Sequence, residues 1–283
     1  MFFWYNVFVE NWLKNKKIII TGASSGIGKA LAEELIFNYN CAILGVARNE
    51  EKLQEFKNSL KEKANSFEYI SVDVSKKDSW AKILEAAKQK EYTILVNNAG
   101  TMLPFKSAEK ITYEEAERIF NVNFFSCVNA FRTFKDYFSS KGNCAIINIS
   151  SLSAVCSIPG QSMYSASKSA LTSFSKIITA ENKNKIFIAT YLPGFTKTNL
   201  FNNKDNETSI FDKKALKLIN KIGDSPQNVA KKIARSIKNK RKYKIFGFDS
   251  FLLKKLSKIM PIKSSEMMLK IFKLVNFECF KDI

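Results

Sequence analysis

Six short apolar runs recur along this 283-residue chain, with longer segments of helical periodicity between them, and no other feature limits the fold as strongly. The runs are Lys17–Ile20, Cys41–Val46, Tyr69–Val72, Ile94–Val96, Ala145–Ile149 and Ile186–Thr190. Helical patterns such as Gly28–Phe37 and Ser75–Lys88 lie between them. Strands that are apolar throughout are buried on both faces, and strand–helix alternation means a parallel sheet covered by helices. Right-handed crossovers then predict a doubly wound α/β sheet, with ligands at the carboxyl ends of its strands. The length suits one such domain and is short for two.

Composition removes whole classes of chemistry. The chain has no histidine, so no Ser-His-Asp or Cys-His nucleophile and no His-ligated metal site is expected. Cys41, Cys127, Cys144, Cys156 and Cys279 are scattered without a CxxC pair, which suits buried thiols in a reducing, cytoplasmic compartment rather than a disulfide framework or a metal site. The formal charge is +19, concentrated in residues 201–283, where 20 Lys or Arg face 8 Asp or Glu. An anionic surface, an acidic substrate or a Lys-rich habit each fits such an excess. No RNA-type aromatic–basic motif or DNA-reading helix accompanies it, so no nucleic-acid partner is expected. The start, Met1–Val9, is apolar but lacks a basic leader and a cleavage site, and no apolar run is long enough to span a bilayer.

The first strand runs into Thr21-Gly22-Ala23-Ser24-Ser25-Gly26-Ile27-Gly28 and then a helix. Gly22 permits the tight turn. Gly26 lets backbone N–H groups approach a pyrophosphate at the helix N-terminus, and Gly28 lets helix and sheet lie close. After the second strand the chain reads Val46-Ala47-Arg48. An acid there would bind ribose hydroxyls and repel a 2′-phosphate. Its absence, with a guanidinium beside it, favours NADP(H), and NAD(H) stays the alternative.

The TGxxxGxG form resembles the short-chain dehydrogenase/reductase family over about residues 16–235. Further family marks follow in order: Asp73, Asn97-Asn98-Ala99-Gly100, Asn123, Ser151, Tyr164-Ser165-Ala166-Ser167-Lys168 and Pro193-Gly194. The resemblance implies a Rossmann-type single domain and a nicotinamide cofactor. It implies cofactor contacts from Gly22, Ser24, Ser25, Gly26, Ile27, Gly28, Arg48, Asp73, Val74, Asn98, Ala99, Gly100, Tyr164, Lys168, Pro193, Gly194, Thr196 and Thr198. Asp73 falls where the family meets the adenine, and Thr196 and Thr198 where it meets the carboxamide and phosphates. One departure is Ser126, where the family often has Gly three residues after the Asn; a small residue still fits.

The YxxxK spacing places Tyr164 and Lys168 one turn apart on one helix face. A free tyrosine titrates near pH 10, too high for neutral acid–base work, and a nearby ammonium with an oxidised nicotinamide is expected to lower it. Ser151, thirteen residues earlier, takes the family's serine position and would steady developing negative charge on a substrate oxygen. Its neighbour Ser150 is the residue most easily confused with it. Asn123 would support a proton relay to Lys168. These residues predict hydride transfer between a nicotinamide and a carbonyl or secondary alcohol; the alternatives are a nucleotide-binding regulator without activity and a membrane-surface binder of the same fold.

The expected layout is an apolar extension (1–15), a dehydrogenase domain (16–245) with a substrate lid at 195–224, and a basic amphipathic extension (246–283). The lid carries Phe195, Leu200, Phe201, Ile210, Phe211, Leu216 and Leu218, which suit a greasy substrate or packing on the domain. Ser225-Pro226 reads as an N-cap and first helical position. From Phe251 to Val275 large apolar residues interleave with Lys, the pattern of helices that lie in a membrane interface, pack on the domain or meet a partner subunit. A homodimer is expected from the resemblance, and a peripheral place on an anionic membrane from the tail.

Overall fold

The structure, a computed structural model, describes residues 11–183, 185–198, 223–274 and 280. Seven strands form one parallel sheet: β1 (Lys17–Thr21), β2 (Ala42–Ala47), β3 (Phe67–Ser71), β4 (Ile94–Asn97), β5 (Ala145–Ile149), β6 (Phe187–Leu192) and β7 (Tyr243–Ile245). Their order is β3-β2-β1-β4-β5-β6-β7, so the winding reverses between β1 and β4. A ligand crevice opens at such a reversal.

Strand alternation assigns each side chain to a face. Ile18 and Ile20 enter one core with Leu31, Leu35, Val229 and Ile233. Ile19 enters the other with Trp80, Phe134 and Ile178. The helices α1 (Gly26–Tyr39), α2 (Glu50–Ser59) and α7 (Pro226–Lys238) therefore cover one face. The second is covered by α3 (Ser79–Gln89), α5 (Ser126–Lys141) and α6 (Ser162–Glu181). Full burial of each large side chain contributes about 1.5–3 kcal/mol, which makes both layers integral to the fold. The cap read at Ser225-Pro226 is present: Asn228 N–H donates to Ser225 Oγ (3.1 Å), with Pro226 at the first turn.

The short helix α4 (Tyr113–Phe120) starts in a capping box between Thr112 and Glu115. It passes into a wide π-turn, Asn121–Phe125, before α5. Beyond β7 lie α8 (Phe248–Ile259) and α9 (Pro261–Leu274). Part of this extension packs on the domain: Ser265 Oγ donates to Ser157 O (3.1 Å), and buried Phe280 meets Phe105 edge to face (centroids 5.0 Å) and packs at a tilt on Phe272 (4.6 Å). The apolar start at Met1–Val9, Leu200–Leu218 of the lid, Val275 and Cys279 lie outside the described residues.

Candidate active site

At the carboxyl end of β1 the chain turns sharply, with Gly22 at φ +69° and Gly26 at φ +53°. A side chain at Gly28 would put Cβ 2.3 Å from Gly22 O and 2.5 Å from Asn98 Nδ2, so only glycine fits. The loop is held from β4. Asn98 N–H and Ala99 N–H both donate to Thr21 Oγ1 (3.0 Å each), and Asn98 Nδ2 donates to Thr21 O (2.9 Å). Gly100 follows Ala99 and runs close beside Asn123 and Lys168: a Cβ on it would lie 3.4 Å from Asn123 Oδ1 and 3.5 Å from Lys168 Nζ.

Helix α1 has no side-chain cap at Ser25 and no acid in its first turn. Ser24 and Ser25 stay accessible beside Gly26 and Ile27. The first-turn N–H groups and the positive end of the helix dipole thus face an opening, which fits a pyrophosphate. Next to it, exposed Arg48 lines a second hollow with Asn49, Glu50, Gln54 and Tyr69 at the end of β2. Asp73 closes its own turn by accepting from Ser75 N–H (2.9 Å), and Val74 O accepts from the buried Trp80 indole (3.0 Å). The acid and the backbone that follow β3 are thereby fixed at the crevice edge.

The other end of the crevice is built by β5, α6 and the Pro193-Gly194 turn. Leu152 N–H donates to Pro193 O (2.9 Å), tying the segment after β5 to the one after β6. Thr196 is buried, its hydroxyl on Gly194 O (3.1 Å), and pairs with Asp224 by a parallel bridge. Together these segments border an open cleft. Ser151, Tyr164, Gly194 and Thr198 line it beside apolar Met102, Phe105 and Phe195.

Three of the residues singled out from the sequence converge here. Lys168 Nζ donates to Ile149 O (3.0 Å) and lies 6.0 Å from the Tyr164 ring centroid. Burial of that ammonium, against a weaker influence of the Cys127 thiol, pulls its pKa to about 8. Burial likewise pushes the Tyr164 phenol up, while hydrogen bonding to Ser151 and Ser153 works the other way. The sequence-based expectation of a lowered tyrosine therefore needs correcting for the protein alone. Desolvation of the phenol outweighs the hydrogen bonding to the two serines.

Ser150 also borders the cleft, but its hydroxyl is taken up by Thr172 Oγ1 (2.8 Å) and Lys168 O (3.0 Å), which removes it as a rival to Ser151. Asn123 is fully buried in the π-turn. Its carboxamide is committed to both backbone groups of Thr101 (2.8 and 2.9 Å) and to Ser167 Oγ (3.1 Å). It therefore braces the loop after Gly100 beside Lys168. Ser126 fits by donating to Val122 O (2.5 Å) within the same turn. Ser153, which sequence reasoning passed over, sits 2.6 Å from Ser151 Oγ and lines the cleft. Only its position two residues after Ser151 could have pointed to it.

Residues 16–209 match the family described as short chain dehydrogenase. The chain belongs to that family of oxidoreductases. It is 33% identical over 187 residues to very-long-chain 3-oxoacyl-CoA reductase of Rattus norvegicus, covering 64% of this chain and 60% of that one. It is 32% identical over 236 residues to 17-beta-hydroxysteroid dehydrogenase type 3 of Mus musculus, covering 81% and 77%. Among solved structures, L-sorbose reductase from Gluconobacter frateurii, complexed with NADPH and L-sorbose, superposes with TM-score 0.72 at 26% identity, covering 82% of this chain and 95% of that one. A family member from Burkholderia phymatum in complex with NAD superposes at 0.78 with 20% identity (87% and 94%), which speaks to fold alone.

Proposed function

We propose that this short-chain dehydrogenase is an NADP(H)-dependent oxidoreductase that interconverts a hydrophobic carbonyl compound and its secondary alcohol. The observation that carries the reading is that Ser151 and Tyr164 line one cleft beside the glycine turn, with the buried Lys168 Nζ 6.0 Å from the Tyr164 ring. The turn at Gly22–Gly28 would hold the pyrophosphate, Arg48 the 2′-phosphate, Asp73 and Val74 the adenine side, and Asn98, Ala99 and Gly100 the span between. Lys168 would hold the nicotinamide ribose, with Pro193, Gly194, Thr196 and Thr198 around the carboxamide. When bound, the reduced nicotinamide supplies a hydride to the carbonyl carbon.

The protein's own part is the proton. Tyr164 Oη gives its hydrogen to the carbonyl oxygen, and Ser151 donates a hydrogen bond to that oxygen as negative charge grows. A raised phenol pKa suits the reducing direction, because the acid form is then present at neutral pH. Lys168, protonated below about pH 8, is placed to return a proton, with Asn123 holding the loop beside it.

Apolar walls at Ile27, Met102, Phe105, Leu152, Ile158 and Phe195 support a greasy substrate. So do the names of the relatives, one a 3-oxoacyl-CoA reductase and one a hydroxysteroid dehydrogenase. The direct test is consumption of NADPH and of NADH against carbonyls of increasing chain length. Turnover that rises with chain length and favours NADPH agrees with the reading; turnover of small polar carbonyls alone contradicts it.

A second reading concerns placement. Of the large apolar side chains exposed among the described residues, Ile259, Ile262, Met267, Ile271 and Leu274 all lie at the end of α8 or on α9. Exposed Lys258, Lys263, Lys270 and Lys273 stand among them. That mixture supports peripheral binding to an anionic lipid surface, with the catalytic domain on the cytoplasmic side. No helix of the described residues is long and apolar enough to cross a membrane. A homodimer is the assembly proposed, with exposed Phe125 and Ile177 as its apolar contacts; a monomer by sedimentation would oppose it.

A further inference from the structure

Ser151 does not stand alone in the cleft. It caps the short 3-10 turn Leu152–Ala154, and Ser153 N–H donates to its Oγ (3.2 Å). The two hydroxyl oxygens lie 2.6 Å apart. Ser153 is almost fully buried, yet it lines the same cleft as Ser151 and Tyr164.

A serine hydroxyl has one hydrogen and two lone pairs. One lone pair of Ser151 Oγ is taken by Ser153 N–H. The 2.6 Å contact holds one hydrogen, supplied by one serine or the other. If Ser151 supplied it, its only hydrogen would be spent and its remaining lone pair would face the substrate oxygen, which is repulsive. If Ser153 supplies it, both lone pairs of Ser151 are filled and Ser151 can only donate, to the Tyr164 oxygen or to a substrate oxygen beside it.

We propose that Ser153 is a positioning residue that makes Ser151 an obligatory hydrogen-bond donor to the substrate oxygen. It fills both acceptor sites of Ser151, one with its backbone N–H and one with its hydroxyl. Charge growing on the substrate oxygen pulls on Ser151 O–H, which strengthens the bond from Ser153 O–H behind it, so the two act as a chain. No proton leaves either serine. The inference rests on the reading of Ser151 given above.

The test is a double-mutant cycle on the full chain, using the best carbonyl of the chain-length series with NADPH. Ser153→Ala removes one neutral hydrogen bond, so kcat is expected to fall about tenfold. NADPH affinity by fluorescence titration and Tm should hold near wild type. Ser153→Thr, which keeps the hydroxyl, should restore most of the rate. In a Ser151→Ala background, Ser153→Ala should cost almost nothing more, because a residue acting through Ser151 has nothing left to act on. Equal losses in both backgrounds, no loss at all in Ser153→Ala, or no rescue by a folded Ser153→Thr would each overturn the proposal. Should Ser151→Ala itself leave turnover intact, the reading of the site fails first, and the two failures are told apart.

Discussion

Lys168 Nζ lies 6.0 Å from the centre of the Tyr164 ring while giving its hydrogen bond to Ile149 O at 3.0 Å. The ammonium is thus anchored to the end of β5 rather than to the phenol. Its charge is held where burial makes it costly, and its pKa falls to about 8. The sign follows directly. A lowered lysine keeps its proton below pH 8 and loses it as pH rises past that point. Carbonyl reduction, with a phenol already protonated at neutral pH, should have kcat/KM level from pH 6 to 7.5 and falling above about 8. A profile without a break between pH 7 and 9.5 would separate Lys168 from the proton path.

Cofactor choice should turn on one guanidinium. Arg48 is exposed beside the hollow at the end of β2, and Ala47 stands before it. Arg48→Ala should weaken NADPH about tenfold or more, the scale of a lost charge-assisted bond of about 1.5–3 kcal/mol, and leave NADH nearly unchanged. Ala47→Asp should move preference further toward NADH. Paired dissociation constants for both cofactors decide it, and a wild type that prefers NADH would refute the role of Arg48.

Gly28 is limited by space. A Cβ there would sit 2.3 Å from Gly22 O, a backbone atom that can retreat only by moving the whole turn. Gly28→Ala should lower stability by about 1–3 kcal/mol, the range for overpacking, and weaken both cofactors alike. Thermal melts and the same titrations measure this; normal cofactor affinity in the variant would show that the turn tolerates a side chain.

The tail makes a salt-dependent prediction. With exposed Ile262, Ile271 and Leu274 among lysines, the full chain should sediment with anionic vesicles at low salt and be released as salt screens the lysines. A chain ending near residue 245, checked for folding, should bind less. If the folded full chain stays in solution with anionic vesicles at low salt, the outer faces of α8 and α9 have another partner.

Most of the fold was legible because buried parallel strands carry an unmistakable apolar signature. The run Ala145–Ile149 is β5 residue for residue, and Lys17–Ile20 differs from β1 only by Thr21. The edge strand β7 escaped, since three residues with exposed Lys244 at the centre carry no such signal. At the site, Tyr164 and Lys168 were readable because helical spacing alone brings them together. The wide turn around Asn123 was not, because its hydrogen-bond pattern depends on how α4 joins α5. Ser153 was hidden for a similar reason. Its nearness to Ser151 comes from the 3-10 turn that Ser151 caps, and a sequence shows two serines without showing which way their hydroxyls point.

The central claim is that Tyr164 gives the proton to the substrate oxygen. It is tested most directly by steady-state turnover of Tyr164→Phe with NADPH and the best carbonyl of the series, beside NADPH titration of the same protein. Tyr164 is partly buried and lines the cleft, so removing its hydroxyl should leave the fold and NADPH affinity near wild type. The account predicts that kcat falls at least about a hundredfold, the low end of what a positioned general acid contributes. Retained turnover in that variant, with NADPH binding intact, would contradict it.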